Sequence, residues 1–252
     1  MSKVKKSIYL LITMTLLVVI GYSAYQVEKS NQEYVKEKKV REEVMEYKPV
    51  SLTSNQDTHN SEIEIVNQSI LDLQEKNADT IGWLTIPGTQ IDYPFLWADD
   101  YDIYLRTDIN GESSMAGSIF MDYRCDRNLL GAHSILFGHN MNNGSMFGAL
   151  IEFRDRTFFQ EHQEGYIYLS NANIKLQIIA CIVTTSSNAE VYGVAETEEQ
   201  KERFLEVIKE ENIHGREGIP EDLSIDDRFV LLSTCSYEHD EARTVVVYRI
   251  VG

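Results

Sequence analysis

Cys235 closes an apolar, β-rich run, Phe229-Val230-Leu231-Leu232-Ser233-Thr234-Cys235, and Arg243 stands eight residues later, where a second run opens. That second run is Thr244-Val245-Val246-Val247-Tyr248-Arg249-Ile250-Val251. Two such runs joined by the polar stretch Ser236 to Ala242 predict a hairpin. A hairpin brings the residue that closes one strand close to the residue that opens the next, so a thiol and a guanidinium would face one cleft. Upstream, Leu136-Phe137-Gly138-His139-Asn140 is another apolar run, and it ends in a histidine. One Cys, one His and one Arg at strand ends compose a thiol acyl-transfer site. The thiolate would be the nucleophile, the imidazole would carry protons, and the fixed cation would steady the oxyanion.

Each of these residues also has a plainer reading. A cysteine at a strand end can be a satisfied core residue, although the polar segment Ser236-Tyr237-Glu238-His239-Asp240-Glu241 places Cys235 at a strand exit, where side chains reach a surface. Six histidines compete as its proton partner. His59 falls in a polar linker, and His162 and His214 sit near helix ends in polar settings, so all three read as solvated. His133 opens the run that His139 ends, and period 2 puts both on one face. Position separates them, because His139 lies at the exit before an Asn-Asn-Gly turn. His239, four residues from Cys235, remains a rival. Arg243 either balances Glu238, Asp240 and Glu241 or donates to the oxyanion, a role that suits a planar, permanently charged fork. Ser233, on the same strand face as Cys235, is a candidate for lining a substrate groove. Tyr192 and Thr185 are further groove candidates.

The elements that must hold these residues are mostly strands. Eight runs qualify: 82–86, 91–96, 118–122, 134–138, 166–169, 174–184, 228–234 and 244–251. Eight strands with polar or glycine-containing connections predict a mainly β fold, an eight-stranded closed barrel with flanking helices. One helix should precede the strands. Ser61-Glu62-Ile63-Glu64 is a capping-box pattern, and Ile63, Val66, Ile70 and Leu73 recur at helical spacing. A second should follow the turn Asn142-Asn143-Gly144-Ser145, with Met146, Phe147, Leu150 and Ile151 on one face. A third should start at the capping box Thr197-Glu198-Glu199-Gln200, carry Phe204, Leu205 and Ile208, and stop before Gly215.

The chain has 252 residues, enough for a membrane segment and one domain of ordinary size. No charged residue occurs from Ser7 to Val27, and Lys3, Lys5 and Lys6 precede that stretch. As a helix it would be about 31 Å long and so span a bilayer's hydrocarbon core. Positive charge on its short leading side predicts a cytoplasmic N-terminus. A cleaved signal peptide is the alternative, but only Gly21-Tyr22-Ser23-Ala24-Tyr25 follows the densest apolar part, with no A-x-A-like site. The expected organisation is a cytoplasmic stub (1–6), a transmembrane anchor (7–27), a charged stalk and linker (28–60) and a catalytic domain (61–252).

From Pro49 onward, 14 Lys or Arg face 34 Asp or Glu, a net charge of −20. Such a surface repels nucleic acid and favours amines, although acidity is also a common route to solubility. Three cysteines form no disulfide framework. Cys181, inside Ile178-Ile179-Ala180-Cys181-Ile182-Val183, reads as a buried small hydrophobe. Cys125, among Arg124, Asp126 and Arg127, reads as a polar-loop thiol. No metal or phosphate-binding motif is present, and Asp99-Asp100 and Asp226-Asp227 read as solvated turns.

Leu231-Leu232-Ser233-Thr234-Cys235 with Arg243 resembles the TLxTC…R signature of sortases, the cysteine transpeptidases of Gram-positive cell surfaces; Leu231 stands where the signature usually has Thr. Gly138-His139-Asn140-Met141 with Gly144-Ser145-Met146-Phe147 resembles the histidine segment of class B sortases. Gly82-Trp83-Leu84-Thr85-Ile86-Pro87-Gly88-Thr89 and Ile91-Asp92-Tyr93-Pro94 resemble that class's first strands. The likeness runs from about Ile63 to the C-terminus. It implies a sortase-type barrel with a long helix between the sixth and seventh strands. It also implies Cys235 as nucleophile, His139 as general acid and base, Arg243 as oxyanion or substrate stabiliser, and no cofactor. The implied partners are surface proteins bearing a C-terminal sorting signal and an amine acceptor from a peptidoglycan precursor or a pilin. The implied setting is a single-pass membrane protein with its catalytic domain outside the cell.

Two other classes compete. An L,D-transpeptidase would show S-H-G-C, which Ser233-Thr234-Cys235 lacks. A peptidase with Cys before His conflicts with the order here. A non-enzymatic surface scaffold would use Cys235 only for packing.

Overall fold

The computed structural model describes residues 3–50, 65–216, 219–236 and 241–251. His59, His239 and the capping-box pattern at 61–64 lie outside them. The chain forms two compact units, Met1–Glu42 and Glu43–Gly252. Helix α1 runs over Lys3–Val44 and contains the charge-free stretch. It is long and apolar enough to cross a membrane.

The second unit is built on eight strands: β1 (Thr80–Thr85), β2 (Asp92–Trp97), β3 (Ile119–Met121), β4 (His133–Phe137), β5 (Glu164–Leu169), β6 (Ala172–Thr185), β7 (Phe229–Cys235) and β8 (Ala242–Val251). They close in the order β1-β2-β3-β4-β7-β8-β6-β5, so the sheet leaves no open edge to pair with another chain. All eight runs expected from the sequence are strands. β2 pairs parallel with β3, and β4 pairs parallel with β7; the other six pairings are antiparallel. In β7 every residue from Phe229 to Thr234 is buried. A 3-10 helix, Gly148–Arg154, packs against β7 and β8. Burial on both faces explains why the run reads as continuously apolar rather than alternating.

Helix α2 (Gln68–Lys76) starts later than the sequence pattern suggests, with Asn67 as N-cap; Ile70 and Leu73 are fully buried, but Val66 is exposed. Asn67 uses its side-chain amide on the carbonyl of Ala172 and on Asn173, so the helix start is set by contact with the β5–β6 turn rather than by a local box. Lys48, in the segment assigned from sequence to the stalk, pairs with Asp92 of β2 at 2.5 Å, and Asp92 also accepts from Trp83 and Thr85.

The helix expected from Met146 is displaced. Met146 has φ 52°, outside helical geometry, and the 3-10 helix begins only at Gly148. Four short or medium helices complete the unit: α3 (Tyr101–Leu105), α4 (Arg156–Glu161), α5 (Ala189–Tyr192) and α6 (Glu198–Glu211). α6 carries the expected capping box at Thr197 and Gln200, and Gly215 follows with φ 78°. Only α6 of these four was legible as a helix in the sequence.

Candidate active site

The β7–β8 hairpin places Cys235 directly opposite Arg243 in register. Ser236 N–H donates to the Ala242 carbonyl at 2.9 Å and holds the hairpin together beyond that pair. Because β4 runs parallel to β7, with Phe137 opposite Ser233, both strands leave the barrel at the same end. Two residues further on, His139 comes level with Cys235.

Three hydrogen bonds fix that alignment. Gly138 N–H donates to the Ser233 carbonyl at 3.3 Å, the Thr234 hydroxyl to the Gly138 carbonyl at 2.7 Å, and the Asn140 amide to the Cys235 carbonyl at 2.9 Å. Gly138 is required by space, since a Cβ there would collide with Ile119 and lie 2.8 Å from the Phe147 ring. Phe147 N–H in turn donates to the His139 carbonyl at 3.0 Å. The left-handed turn at Met146, which defeats a helix, is what returns the chain to His139.

The imidazole of His139 is held by α3. Nε2 lies 2.7 Å from the Leu105 carbonyl, which can only accept, so Nε2 carries a hydrogen and Nδ1 is left to exchange a proton. Cys235, His139 and Arg243 line one cleft of about 260 Å³.

Ser233 and Tyr192 also line this cleft and hydrogen-bond to each other at 2.8 Å. Burial pushes the Tyr192 phenol up to about 12, and nearby Cys235 adds to the effect, so the ring stays neutral at physiological pH. Thr185 does not line the cleft. Its hydroxyl faces Ser187 at 3.0 Å, and the next residue, Ser186, takes the lining position.

The remaining lining includes Tyr101 and Leu105 of α3, Phe137 of β4, and Arg124 from the β3–β4 connection. The sequence reading passed over these residues. The signal available was Asp122-Tyr123-Arg124, an acid and a base two residues apart just past a strand. Asp122 is fully buried, and Arg124 binds it with two bonds, Nε at 3.0 Å and Nη2 at 2.6 Å. Burial works to raise the Asp122 carboxyl, but hydrogen bonds from the Arg124 side chain and backbone and from Tyr101 outweigh it and hold it below the usual carboxylate range. Burial and the Asp122 carboxylate together push the Tyr101 phenol up.

Among the described residues the other histidines, His133, His162 and His214, each have a structural partner. His133 is buried, with Nε2 2.7 Å from the Gly193 carbonyl and its ring stacked on Phe204 at 4.6 Å. His162 and His214, expected to be solvated, are half-buried: they contact the Phe158 and Phe153 carbonyls at 2.8 and 2.7 Å, His162 stacks on Phe158, and His214 lies tilted against Phe159. Local polarity misled that reading, because the aromatic surfaces come from chain distant in sequence or one helical turn back.

Cys125, expected as a polar-loop thiol, is also buried, and burial pushes it up to about 11. Cys181 is fully buried, as expected, and burial pushes it up to about 12. The cysteine lining the cleft, Cys235, is also the one with intermediate exposure. Asp227, read as a solvated turn, is ion-paired with Arg249 at 2.9 Å.

Comparison with known proteins supplies the family. The chain is 35% identical over 192 residues to sortase B of Listeria monocytogenes, covering 74% of this chain and 75% of that protein. It belongs to the class B sortases.

Among solved structures, sortase B of Bacillus anthracis superposes with a TM-score of 0.71 at 32% identity, covering 87% of this chain and 98% of that one. A Staphylococcus aureus sortase B–substrate complex gives 0.67 at 28% identity, covering 74% of this sortase and 86% of that chain. No family model matches. The sortase assignment makes the protein a cysteine transpeptidase with the closed eight-stranded barrel of its class.

Proposed function

We propose that this sortase cleaves a C-terminal sorting motif after Thr and transfers the acyl protein to an amine of a cell-wall precursor or a pilin. The observation that carries the proposal is the alignment of Cys235, Arg243 and His139 at one barrel end, enforced by the β7–β8 register and by the Asn140 bond to Cys235. In this scheme the Cys235 thiolate attacks the threonine carbonyl carbon. An N–H of Arg243 takes up the charge that develops on oxygen. The C–N bond then breaks, and His139 Nδ1 gives its proton to the departing amine, leaving a thioester. An incoming amine passes a proton to His139 and attacks the thioester carbon. The C–S bond breaks, a new amide forms and the thiolate returns. All the groups required belong to this chain.

The same proposal assigns residues 1–6 to a cytoplasmic stub, 7–27 to a single membrane span, 28–60 to a stalk and linker, and 61–252 to an extracellular catalytic domain. The length and apolarity of α1 support the span, and Lys3, Lys5 and Lys6 at its start support the orientation.

The test uses the full chain in detergent micelles with quenched sorting-motif peptides, with and without an added amine, beside Cys235→Ala. Mass spectrometry should find a thioester adduct on Cys235, cleavage after Thr, and a product that changes from acid to amide when amine is added. Cleavage that persists in Cys235→Ala would refute the scheme.

A further inference from the structure

His139 is tethered by the Leu105 carbonyl and Cys235 by the Asn140 amide. Arg243 has a different kind of contact. Its Nη1 donates at 3.1 Å to the carbonyl of Ala242, the residue just before it. That bond travels with the strand and does not fix the side chain against the rest of the barrel. Glu241, one residue earlier, has φ 62°, so the chain enters β8 through a left-handed turn. Where Arg243 sits therefore depends on what pins the opening of β8.

Thr244 supplies the pin. It is fully buried, and alternation along β8 turns its side chain to the face opposite that of Arg243. There Nε and Nη2 of Arg154 both donate to the Thr244 hydroxyl, Nε at 3.1 Å. The Arg154 charge also acts on the fully buried Cys181 thiol, whose strand partner is Val246, so the guanidinium lies over the β6–β8 face.

Arg154 ends the 3-10 helix that starts at Gly148, and the other end of this segment is bonded to the site too. Phe147 N–H donates to the His139 carbonyl at 3.0 Å, and Leu150 N–H returns to the Phe147 carbonyl at 3.1 Å. Phe147 and Phe153 are fully buried in the core, which locks the segment in place. From Phe147 to Arg154 the 3-10 rise gives a brace about 14 Å long. One end holds His139 and the other holds the strand of Arg243. Bonds from a charged donor are stronger than neutral ones, and these act one residue from the guanidinium that stands opposite Cys235.

We infer that Arg154 is a positioning residue for the reaction, holding the opening of β8 through Thr244 so that Arg243 stays opposite the Cys235 thiol. This rests on the oxyanion role proposed for Arg243.

The test uses the full chain in micelles with the quenched peptides Asn-Pro-Ala-Thr-Gly and Leu-Pro-Ala-Thr-Gly, taking the one cleaved faster. Arg154→Met should lower kcat roughly tenfold and leave KM within about twofold. Thr244→Val should do the same, Thr244→Ser should stay near wild type, and Arg154→Met/Thr244→Val should lose no more than either alone. An Arg243→Ala background separates positioning from bracing. On its residual turnover Arg154→Met should cost nothing more, although the melting temperature still falls. If that background is inactive, the split between kcat and KM and the Thr244→Ser result decide. A further loss in kcat on top of Arg243→Ala, an unchanged kcat in folded Arg154→Met, or additive losses in the Arg154/Thr244 pair would overturn the inference. If Arg243→Ala turns over at the wild-type rate, the role proposed for Arg243 fails and the inference falls with it. No cleavage of either peptide and no adduct on Cys235 would instead refute the proposed function itself.

Discussion

Asn140→Ala isolates the tie between the two strand exits of the active site. In the wild type, Nδ2 donates to the Cys235 carbonyl at 2.9 Å, joining the residue after His139 to the nucleophile's own backbone. Alanine removes the donor without adding bulk. A part-buried neutral hydrogen bond contributes a net ~0.5–1.5 kcal/mol. If that energy goes into holding Cys235 and His139 in attack geometry, it appears in the barrier, where 1.36 kcal/mol is about tenfold, so kcat should fall by roughly two- to tenfold. KM should move little, because Asn140 does not line the cleft. The melting temperature should fall by only about 2–4 °C for a domain of this size.

The assay is steady-state cleavage and aminolysis of a sorting-motif peptide, paired with a thermal melt. Asn140→Asp, which cannot donate when ionised, should behave like alanine or worse. A full loss of the expected stability with kcat unchanged would refute the reasoning, since the bond would then brace the hairpin without setting the geometry of the thiol.

Two further substitutions probe the supports of the site. Gly138→Ala drives a methyl group into Ile119 and the Phe147 ring, so unfolding in urea should show a loss of about 1–3 kcal/mol. Activity should fall further than stability, because the strand end that moves carries His139. His133 supplies a pH signature. Burial lowers its folded pKa below the ordinary 6.5, so below that pH the unfolded chain binds a proton that the folded chain refuses. Stability should therefore decline as pH falls through about 6.5 towards the folded value. Thermal melts between about pH 7.5 and 5.5 should show a steeper decline for wild type than for His133→Gln; equal slopes would remove His133 as the cause.

The β7–β8 hairpin needed only local information. Cys235 and Arg243 lie eight residues apart on two β-rich runs, and a hairpin between those runs has few alternatives. The eight strands were legible for the same reason, because dense β-branched and aromatic runs bounded by polar turns have no competing helical period. The capping box of α6 is likewise a four-residue signal. What the sequence determined by itself is therefore the eight strands, the capped helix α6 and the chemistry of Cys235, His139 and Arg243 as groups at strand ends.

Tertiary structure decided which groups meet. His139 reaches the level of Cys235 through a parallel pairing of β4 with β7, strands whose partners lie 96 residues apart in the chain; Ile135 opposite Leu231 is one such pair. No local pattern encodes that register. The same holds for burial. Cys125, His162 and His214 sit among polar neighbours in sequence, yet the fold buries Cys125 and half-buries both histidines against phenylalanine rings. Arg124 became part of the cleft only because buried Asp122 and the Tyr192 carbonyl, 68 residues away, fix its fork. Periodicity and turn chemistry act over a few residues and can be read along the chain. Solvent exclusion and hydrogen-bond partnership depend on the segments that pack together, and those were set when the barrel closed.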